Sequence, residues 1–302
     1  MRKRVSIVMT YYERFRHLRN TLRTFLLHGY DPAEVEVIVV DDGSQAEPLE
    51  SDFVRTLPYP ITVIRMPTDK SYSNPCIPFN KGFSAASGEV VLIQNAECMH
   101  VDNIVRHATE QLTASDYFSY SCYSLDQQNT VSLFDNPNWA LQNLRGLMTN
   151  NGQAVLDGQN AWYNHSVVRP KGFHFCSAIS RENLDILNGF DSRYSSGIAF
   201  DDNEILIRIR RMGLKVRIVD EASVIHQWHY AAPRVPGYKK KFARNGLLYQ
   251  LVTRTEGGFV GGQQSWQYSA FRILYPVLVP AYNLILTLKR RAGQRAANRR
   301  IT

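Results

Sequence analysis

The 302-residue sequence contains no CxxC pair; its four cysteines, Cys76, Cys98, Cys122 and Cys176, stand far apart. That spacing argues against a structural zinc site or a disulfide framework and points to a reducing cytoplasm. The N-terminal MRKRVSIVMTYY gives way to Tyr11, Tyr12 and Glu13 after a few apolar residues. It does not read as a signal peptide, and a first strand is expected there instead. A membrane-spanning helix needs about 20 apolar residues. The apolar run Ile273–Leu288 is short by that measure and is broken by Pro276 and Pro280. There is no internal repeat and no low-complexity block. From Gly257 to Thr302 there is also no acidic residue.

What is present is a globular composition, 44% hydrophobic and 21% charged, with a formal charge of +8. The length suits one α/β domain of about 200–250 residues plus an appendage. The positive balance calls for an anionic partner: phosphates, nucleic acid or a lipid surface. The C-terminal basic residues (Arg272, Lys289, Arg290, Arg291, Arg295, Arg299, Arg300) lie beside the apolar run. No RNA-binding signature accompanies them, so nucleic acid is not expected. An interfacial segment on anionic lipid fits better than a helix packed on the domain with a solvated tail.

Val5–Thr10 and Val35–Val40 read as buried strands, followed by Ile61–Arg65 and Val90–Ile93. Between the first two, Phe15, Leu18, Leu22, Phe25 and Leu26 have helical spacing, stopped by Gly29 and Pro32. Alternating strands and helices predict a parallel sheet with helices on its faces. Ligands in such sheets sit beyond the carboxyl ends of the strands. Thr10–Glu13, Asp41–Ser44, the loop Pro67–Lys81 and Gln94–His100 fall there. About residues 115–175, rich in Asn, Gln, Tyr and Trp, long loops are expected. A helix over Glu204–Met212 and a strand over Lys215–Val219 follow.

VSIVMTYYERFRHLRNTLRTFL, VEVIVVDDGS and NPCIPFNKGFSAASGE, with the later NGFDSRYSSGIAFDDNEILIRIRRMG, resemble the signatures of family 2 glycosyltransferases across roughly residues 3–230. The resemblance implies the GT-A fold: a mostly parallel central sheet flanked by helices, with a Rossmann-like nucleotide-binding half and an acceptor half. The expected division is a catalytic domain at 1–235 (donor half 1–100, acceptor half 101–235). A C-terminal basic and apolar helical extension at 236–302 would touch the membrane surface. The implied reaction is inverting transfer of a hexose or amino sugar from a UDP-sugar to a polysaccharide or lipid-linked glycan. The setting would be cytoplasmic, peripheral at the inner membrane face. A nucleotidyltransferase of related topology would show a glycine-rich loop after the first strand, and TYYERFRHL has none. A catalytically inactive nucleotide-sugar-binding subunit is the other alternative.

By that resemblance Thr10, Tyr12, Glu13, Asp41 and Asp42 line the nucleoside pocket. Asn80 matches a family asparagine, while the preceding family arginine is Phe79 here; Lys81 or Lys70 would substitute for it. Asp202 falls on the catalytic-base position and Asp201 precedes it, although an acidic pair opening a helix also suits capping. Trp162, His165 and His174 are acceptor candidates, with Tyr163, Phe173 and Phe175 as stacking faces. A DxD motif is expected after the fourth strand, and Asn95-Ala96-Glu97 stands in its place. With a single carboxylate there, the expected Mn²⁺ or Mg²⁺ site draws on Glu97 and His226, with His229 or His100 replacing or assisting the latter. Without a metal, Lys239–Lys241 and Arg244 would have to neutralise the diphosphate.

Overall fold

A computed structural model describes residues 4–135, 142–148, 159–230 and 236–255, with scattered positions between 270 and 288. The first half alternates β1 (Val5–Tyr11), α1 (Phe15–Leu27), β2 (Val35–Asp41), α2 (Ser51–Arg55), β3 (Ile61–Arg65), α3 (Cys76–Ala85) and β4 (Val90–Asn95). Then come β5 (Cys98–His100), α4 (Ile104–Gln111), β6 (Asp116–Ser124), α5 (Gln127–Asp135) and β7 (Ala161–Asn164). The second half closes with β8 (Cys176–Ser180), α6 (Arg181–Leu187), α7 (Asp201–Arg211), β9 (Lys215–His226) and α8 (Tyr238–Thr255). Nine strands form one sheet in the order β3-β2-β1-β4-β8-β6-β9-β5, with β7 added beside β6. The β3-β2-β1-β4 part is parallel, and β8 runs antiparallel to both β4 and β6.

Strand β1 is apolar on both faces because helices cover both. Val5, Ile7 and Met9 pack with Phe15, Leu18, Leu22 and Phe25 of α1, while Val8 joins Ile38, Val40, Phe79 and Phe83 on the α3 side. A Cβ on Gly82 would come within 2.5 Å of Val8 Cγ1, so the bare glycine lets α3 lie close on the sheet. Truncating Leu22, fully buried, to alanine should cost about 2–5 kcal/mol.

The loops expected over 115–175 are corrected in part. Asp116–Ser124 is a strand buried along its whole length, with β8 and β7 on one edge and β9 on the other. Its sequence, DYFSYSCYS, alternates aromatic with small polar residues, a pattern that reads as surface. The serines are accommodated inside by hydrogen bonding: Ser119 Oγ donates to the Phe173 carbonyl at 2.7 Å and accepts from Asn164 Nδ2 at 3.0 Å. Strand β9 continues seven residues past the expected Val219 to His226 through a register shift opposite Tyr120–Ser121. That extension delivers His226 to the site.

Helix α8 packs on the body of the protein through Leu248 and Val252 against Tyr194 and Phe271. Asn245 Nδ2 donates to the carbonyls of Tyr194 (3.0 Å) and Ala199 (2.9 Å). Described positions between 270 and 288 are helical, and Ile273, Leu274, Val277, Leu278, Leu284 and Leu288 are exposed. Arg272 and the basic positions from Lys289 onward lie outside the described residues. Among the described residues no helix is long and apolar enough to cross a membrane.

Candidate active site at the carboxyl ends of the strands

The first site segment gathers at the ends of β1 and β2. Asp41 is buried and its Oδ1 accepts from the Ser44 amide at 2.9 Å. Asp42 is half-buried, and Lys70 Nζ and the Tyr72 hydroxyl each donate to its carboxylate at 2.6 Å. Lys70 also sits 3.8 Å from the centre of the Tyr12 ring, which is 49% exposed. Tyr12, Asp42, Lys70 and Tyr72 thus form one contact cluster with both charges and aromatic faces. Glu13 has a left-handed backbone, φ 51°. Its carboxylate accepts from the amides of Gln45 and Glu47 at 2.7 Å each, so it closes the β2 loop. Thr10 is half-buried between Val40 and Asn95 in the parallel register.

A second group centres on Glu97, in the turn between β4 and β5. Strand β5 pairs antiparallel with β9 and sets Cys98 opposite His226, which brings residues far apart in sequence together. Glu97 Oε1 lies 3.1 Å from Arg14 Nη1, 3.1 Å from His229 Nε2 and 3.4 Å from His226 Nε2. Gln227 fixes the turn: its backbone and side-chain nitrogens donate to the Glu97 carbonyl at 3.0 and 3.1 Å. Burial alone would raise the Glu97 carboxyl, but Arg14 and the two imidazoles outweigh it and hold the group well below the usual carboxylate range. One ligand atom from each of Glu97, His226 and His229 falls within 4.8 Å of the others. His226 Nδ1 is buried with no hydrogen-bond partner. A carboxylate oxygen and two imidazoles, one with a ring nitrogen unsatisfied, fit a divalent ion of manganese character better than magnesium.

The third group lies at the start of α7. Ala199 and Phe200 both have positive φ, 60° and 70°. Left-handed geometry in such residues costs about 1–3 kcal/mol each and persists only where the surroundings impose it. Here Phe200 packs on Phe242 and Tyr249 of α8, with ring centroids 5.0 and 5.6 Å away. The sharp turn opens the helix at Asp201 and Asp202, both in its first turn. Asp201 Oδ1 accepts from Asn74 Nδ2 at 2.8 Å, and Asp202 Oδ1 pairs with His174 Nδ1. Burial, then the Asp202 charge, push the Asp201 carboxyl above its ordinary value. Burial opposes a charge on His174, yet Asp202 and then Asp201 outweigh it, so the imidazole is raised.

Two adjacent residues join these last groups. His174 reaches Asp202, while Phe175 packs 6.2 Å from the His226 ring and its carbonyl accepts from the Asn95 amide at 3.0 Å. Glu97, His226, His229 and Asn95 are thus linked to Asp201 and Asp202 through two successive residues.

Other expected site residues stand elsewhere. The Asn80 amide is taken up by the Phe190 backbone, donating at 2.7 Å and accepting at 2.8 Å, and so holds the turn before the acid pair. Lys81 is exposed on α3. Trp162 packs on Tyr123, on the sheet face away from His226, and His165 lies 3.7 Å from Asp220. His174, expected as an acceptor contact, is buried against Asp202. His100 does not reach Glu97: its ring is buried between Gln94 Oε1 (2.7 Å) and the Tyr30 hydroxyl (2.6 Å). Arg244 is buried against the Arg193 carbonyl at 3.1 Å, and Lys241 donates to Ser73 at 2.6 Å. Sequence reasoning missed Arg14, Asn74 and Gln227 and gave Tyr163 only a minor place. Tyr163 stacks on His226 at 5.2 Å. The placement of Tyr163 one residue from Trp162 on a strand was the available signal, since alternate side chains face opposite ways.

The profile of glycosyl transferase family 2 matches residues 6–170, more than half of the chain. The chain belongs to this family. Solved structures with the same fold include the mannosyltransferase PcManGT from Pyrobaculum calidifontis in complex with GDP-Man and Mn²⁺. It is 16% identical over 97% of this chain and 76% of that one, with a TM-score of 0.50. Residues 1–349 of S. aureus TarS, in complex with UDP-GlcNAc, are 11% identical over 89% of this chain and 69% of that one, at 0.56. GalNAc-T7 with UDP, GalNAc and Mn²⁺ is 15% identical over 91% of this chain, at 0.52, and this chain spans 55% of its length. At such identities the likeness is one of fold, the GT-A fold of glycosyltransferases. No curated protein matches the chain in sequence.

Proposed function

We propose that this glycosyltransferase moves a hexose or amino sugar from a UDP-sugar to a hydroxyl of a glycan acceptor, with inversion. The observation that carries this reading is the meeting, across His174 and Phe175, of the Glu97–His226–His229 group with the Asp201–Asp202 pair. Tyr12, Asp42, Lys70 and Tyr72 receive the nucleoside end of the donor. Glu97, His226 and His229 would hold Mn²⁺, which when bound offsets the charge growing on the leaving diphosphate. Asp202 takes the proton of the attacking hydroxyl as its oxygen bonds to the anomeric carbon and the bond to the diphosphate breaks. Its carboxylate is about one-third exposed, within reach of an acceptor. The structures of proteins bound to UDP-GlcNAc, UDP or GDP-Man support a nucleotide-sugar donor by analogy of fold.

The acceptor is assigned as a polysaccharide or lipid-linked glycan at the membrane surface. The exposed Ile273, Leu274, Val277, Leu278, Leu284 and Leu288 and the acid-free C-terminal sequence support that assignment. The test is a panel of UDP- and GDP-sugars with Mn²⁺, Mg²⁺ or EDTA, on the wild type and on Asp202→Asn. Turnover that needs Mn²⁺ and disappears in Asp202→Asn is expected. Full activity in EDTA overturns the metal assignment, and an active Asp202→Asn overturns the base. Removing residues 270–302 should release the protein from anionic vesicles; retention overturns the membrane assignment.

A further inference from the structure

The surroundings of His174 differ from those of an ordinary buried histidine. Its ring is held between two aromatic side chains, edge-on to Phe79 (5.3 Å, 88°) and tilted against Phe190 (4.8 Å). The Phe190 backbone is pinned in turn by Asn80. Asp202 Oδ1 forms an ion pair with the imidazole Nδ1 and accepts from the His174 amide at 3.4 Å. No hydrogen bond reaches Asp202 Oδ2 from any described residue. Asp201 has a different holder, Asn74. Each acid of the pair thus has its own partner, and of the two only Asp202 is partly exposed, with about a third of its side chain open to solvent.

We propose that His174 is the positioning residue of the base: its ion-paired imidazole and its amide hold Asp202 Oδ1, and the Phe79–Phe190 slot fixes His174, so that Oδ2 meets the acceptor hydroxyl. This rests on the assignment of Asp202 as base. It also gives a physical reason for phenylalanine at position 79, where the family resemblance leads one to expect arginine. A guanidinium there would compete with the imidazole for the acid pair; an aromatic ring instead locks the imidazole plane. Asp202 and then Asp201 raise His174 against burial, which strengthens the ion pair.

Three variants separate positioning from packing. The Asn side-chain nitrogen falls near the place of imidazole Nδ1, the Gln nitrogen near that of Nε2. His174→Ala should lower kcat about 100-fold, the scale of a catalytic group misplaced by about 1 Å, with the donor KM changed less than about twofold. His174→Asn should regain most of the loss and His174→Gln little, although Gln fills the cavity better. The assay is hydrolysis of UDP-Glc, UDP-Gal, UDP-GlcNAc and GDP-Man, with water as acceptor. A second readout needs no substrate: in ¹⁵N-histidine-labelled full-length protein, the His174 Nδ1–H proton should resonate far downfield and vanish in Asp202→Ala. Equal rescue by Gln and Asn, a change in KM rather than kcat, or a resonance indifferent to Asp202→Ala overturns the proposal. If Asp202→Asn abolishes turnover while His174→Ala does not, the base stands and only this inference fails. If Asp202→Asn stays active, the base assignment fails, and the positioning role with it.

Discussion

Two clusters linked through the adjacent residues His174 and Phe175, around Glu97 and around Asp202, use the same functional groups in opposite proportion. Glu97 is a single carboxylate among Arg14, His226 and His229; Asp201 and Asp202 are two carboxylates sharing His174. Burial pushes carboxyl groups upward in both places, so the neighbours decide. Cations win at Glu97, which is held well below its usual range, while at Asp201 a second acid adds to burial and raises it. The difference separates the two halves of the reaction. An acid held ionised among imidazoles suits a cation and the phosphates it carries. An acid beside another acid, with an imidazole fixing one oxygen, suits the uptake of a proton.

The largest way to break this contrast is Asp202→Asn, which keeps the shape and removes the basic oxygen. Transfer should fall on the order of 10³-fold, about 4 kcal/mol of barrier, with nucleotide-sugar binding by calorimetry intact. An equal loss in donor affinity would place Asp202 in the donor site instead.

The histidines sharpen the contrast through pH. Burial lowers His17, on the Glu97 side, from 6.5 to about 4, despite the bond of its Nε2 to the Trp228 carbonyl. Its folded value lies below its unfolded one, so the unfolded chain gains the proton first on acidification. The stability from neutral His17 is complete above 6.5 and is lost as pH falls toward about 4, up to about 3 kcal/mol. Buried His100 acts in the same direction. His174 has the opposite sign: its contribution is complete below 6.5 and is lost as pH rises through its raised folded value. Thermal midpoints of EDTA-treated protein should therefore fall on both sides of about pH 6.5, and His17→Gln should flatten the acid side. An acid limb unchanged by that substitution removes His17 from the account.

Next in size is Glu97→Gln, which should weaken Mn²⁺ binding about 100-fold, since loss of even an outer-shell partner costs about 10–100-fold. Electron paramagnetic resonance of Mn²⁺ with the chain alone measures it. Asp202→Asn should leave that affinity in place; if it does not, the ion belongs to the acid pair.

How much of this was readable in the sequence follows from the range of each signal. The parallel half came through, because β1, β2 and β4 are buried on both faces and read as continuous apolar runs. Strand β6 did not, because its serines satisfy their hydroxyls inside the protein and look like surface residues on paper. The pairing of Glu97 with His226 was legible through family resemblance, since the missing carboxylates at Asn95-Ala96-Glu97 pointed to a distant ligand. Arg14 and Gln227 carried no such signal. Their roles come from the β5–β9 pairing and the packing of α1 beside it, and neither leaves a local pattern. His174 was named as an acceptor contact for its polarity, and only the fold shows that it faces Asp202.

The smallest effect, and the most discriminating one, is Arg14→Gln. Arg14 Nη1 already stands 3.1 Å from the Glu97 oxygen that a metal would use. If the guanidinium competes with Mn²⁺ for that oxygen, its removal should tighten binding of the ion by the chain alone. The side chain is 34% exposed, so solvent screening limits the gain to about 1 kcal/mol, about fivefold. UDP binding in the presence of Mn²⁺ should weaken in the same variant, because the displaced guanidinium is then the nearest cation left for the diphosphate. Those opposite signs are what distinguish a counter-ion that hands over its partner from a residue that merely holds Glu97 in place. A variant that binds both Mn²⁺ and UDP more weakly would mean that Arg14 shapes the carboxylate, and that the Glu97 cluster needs all of its cations at once.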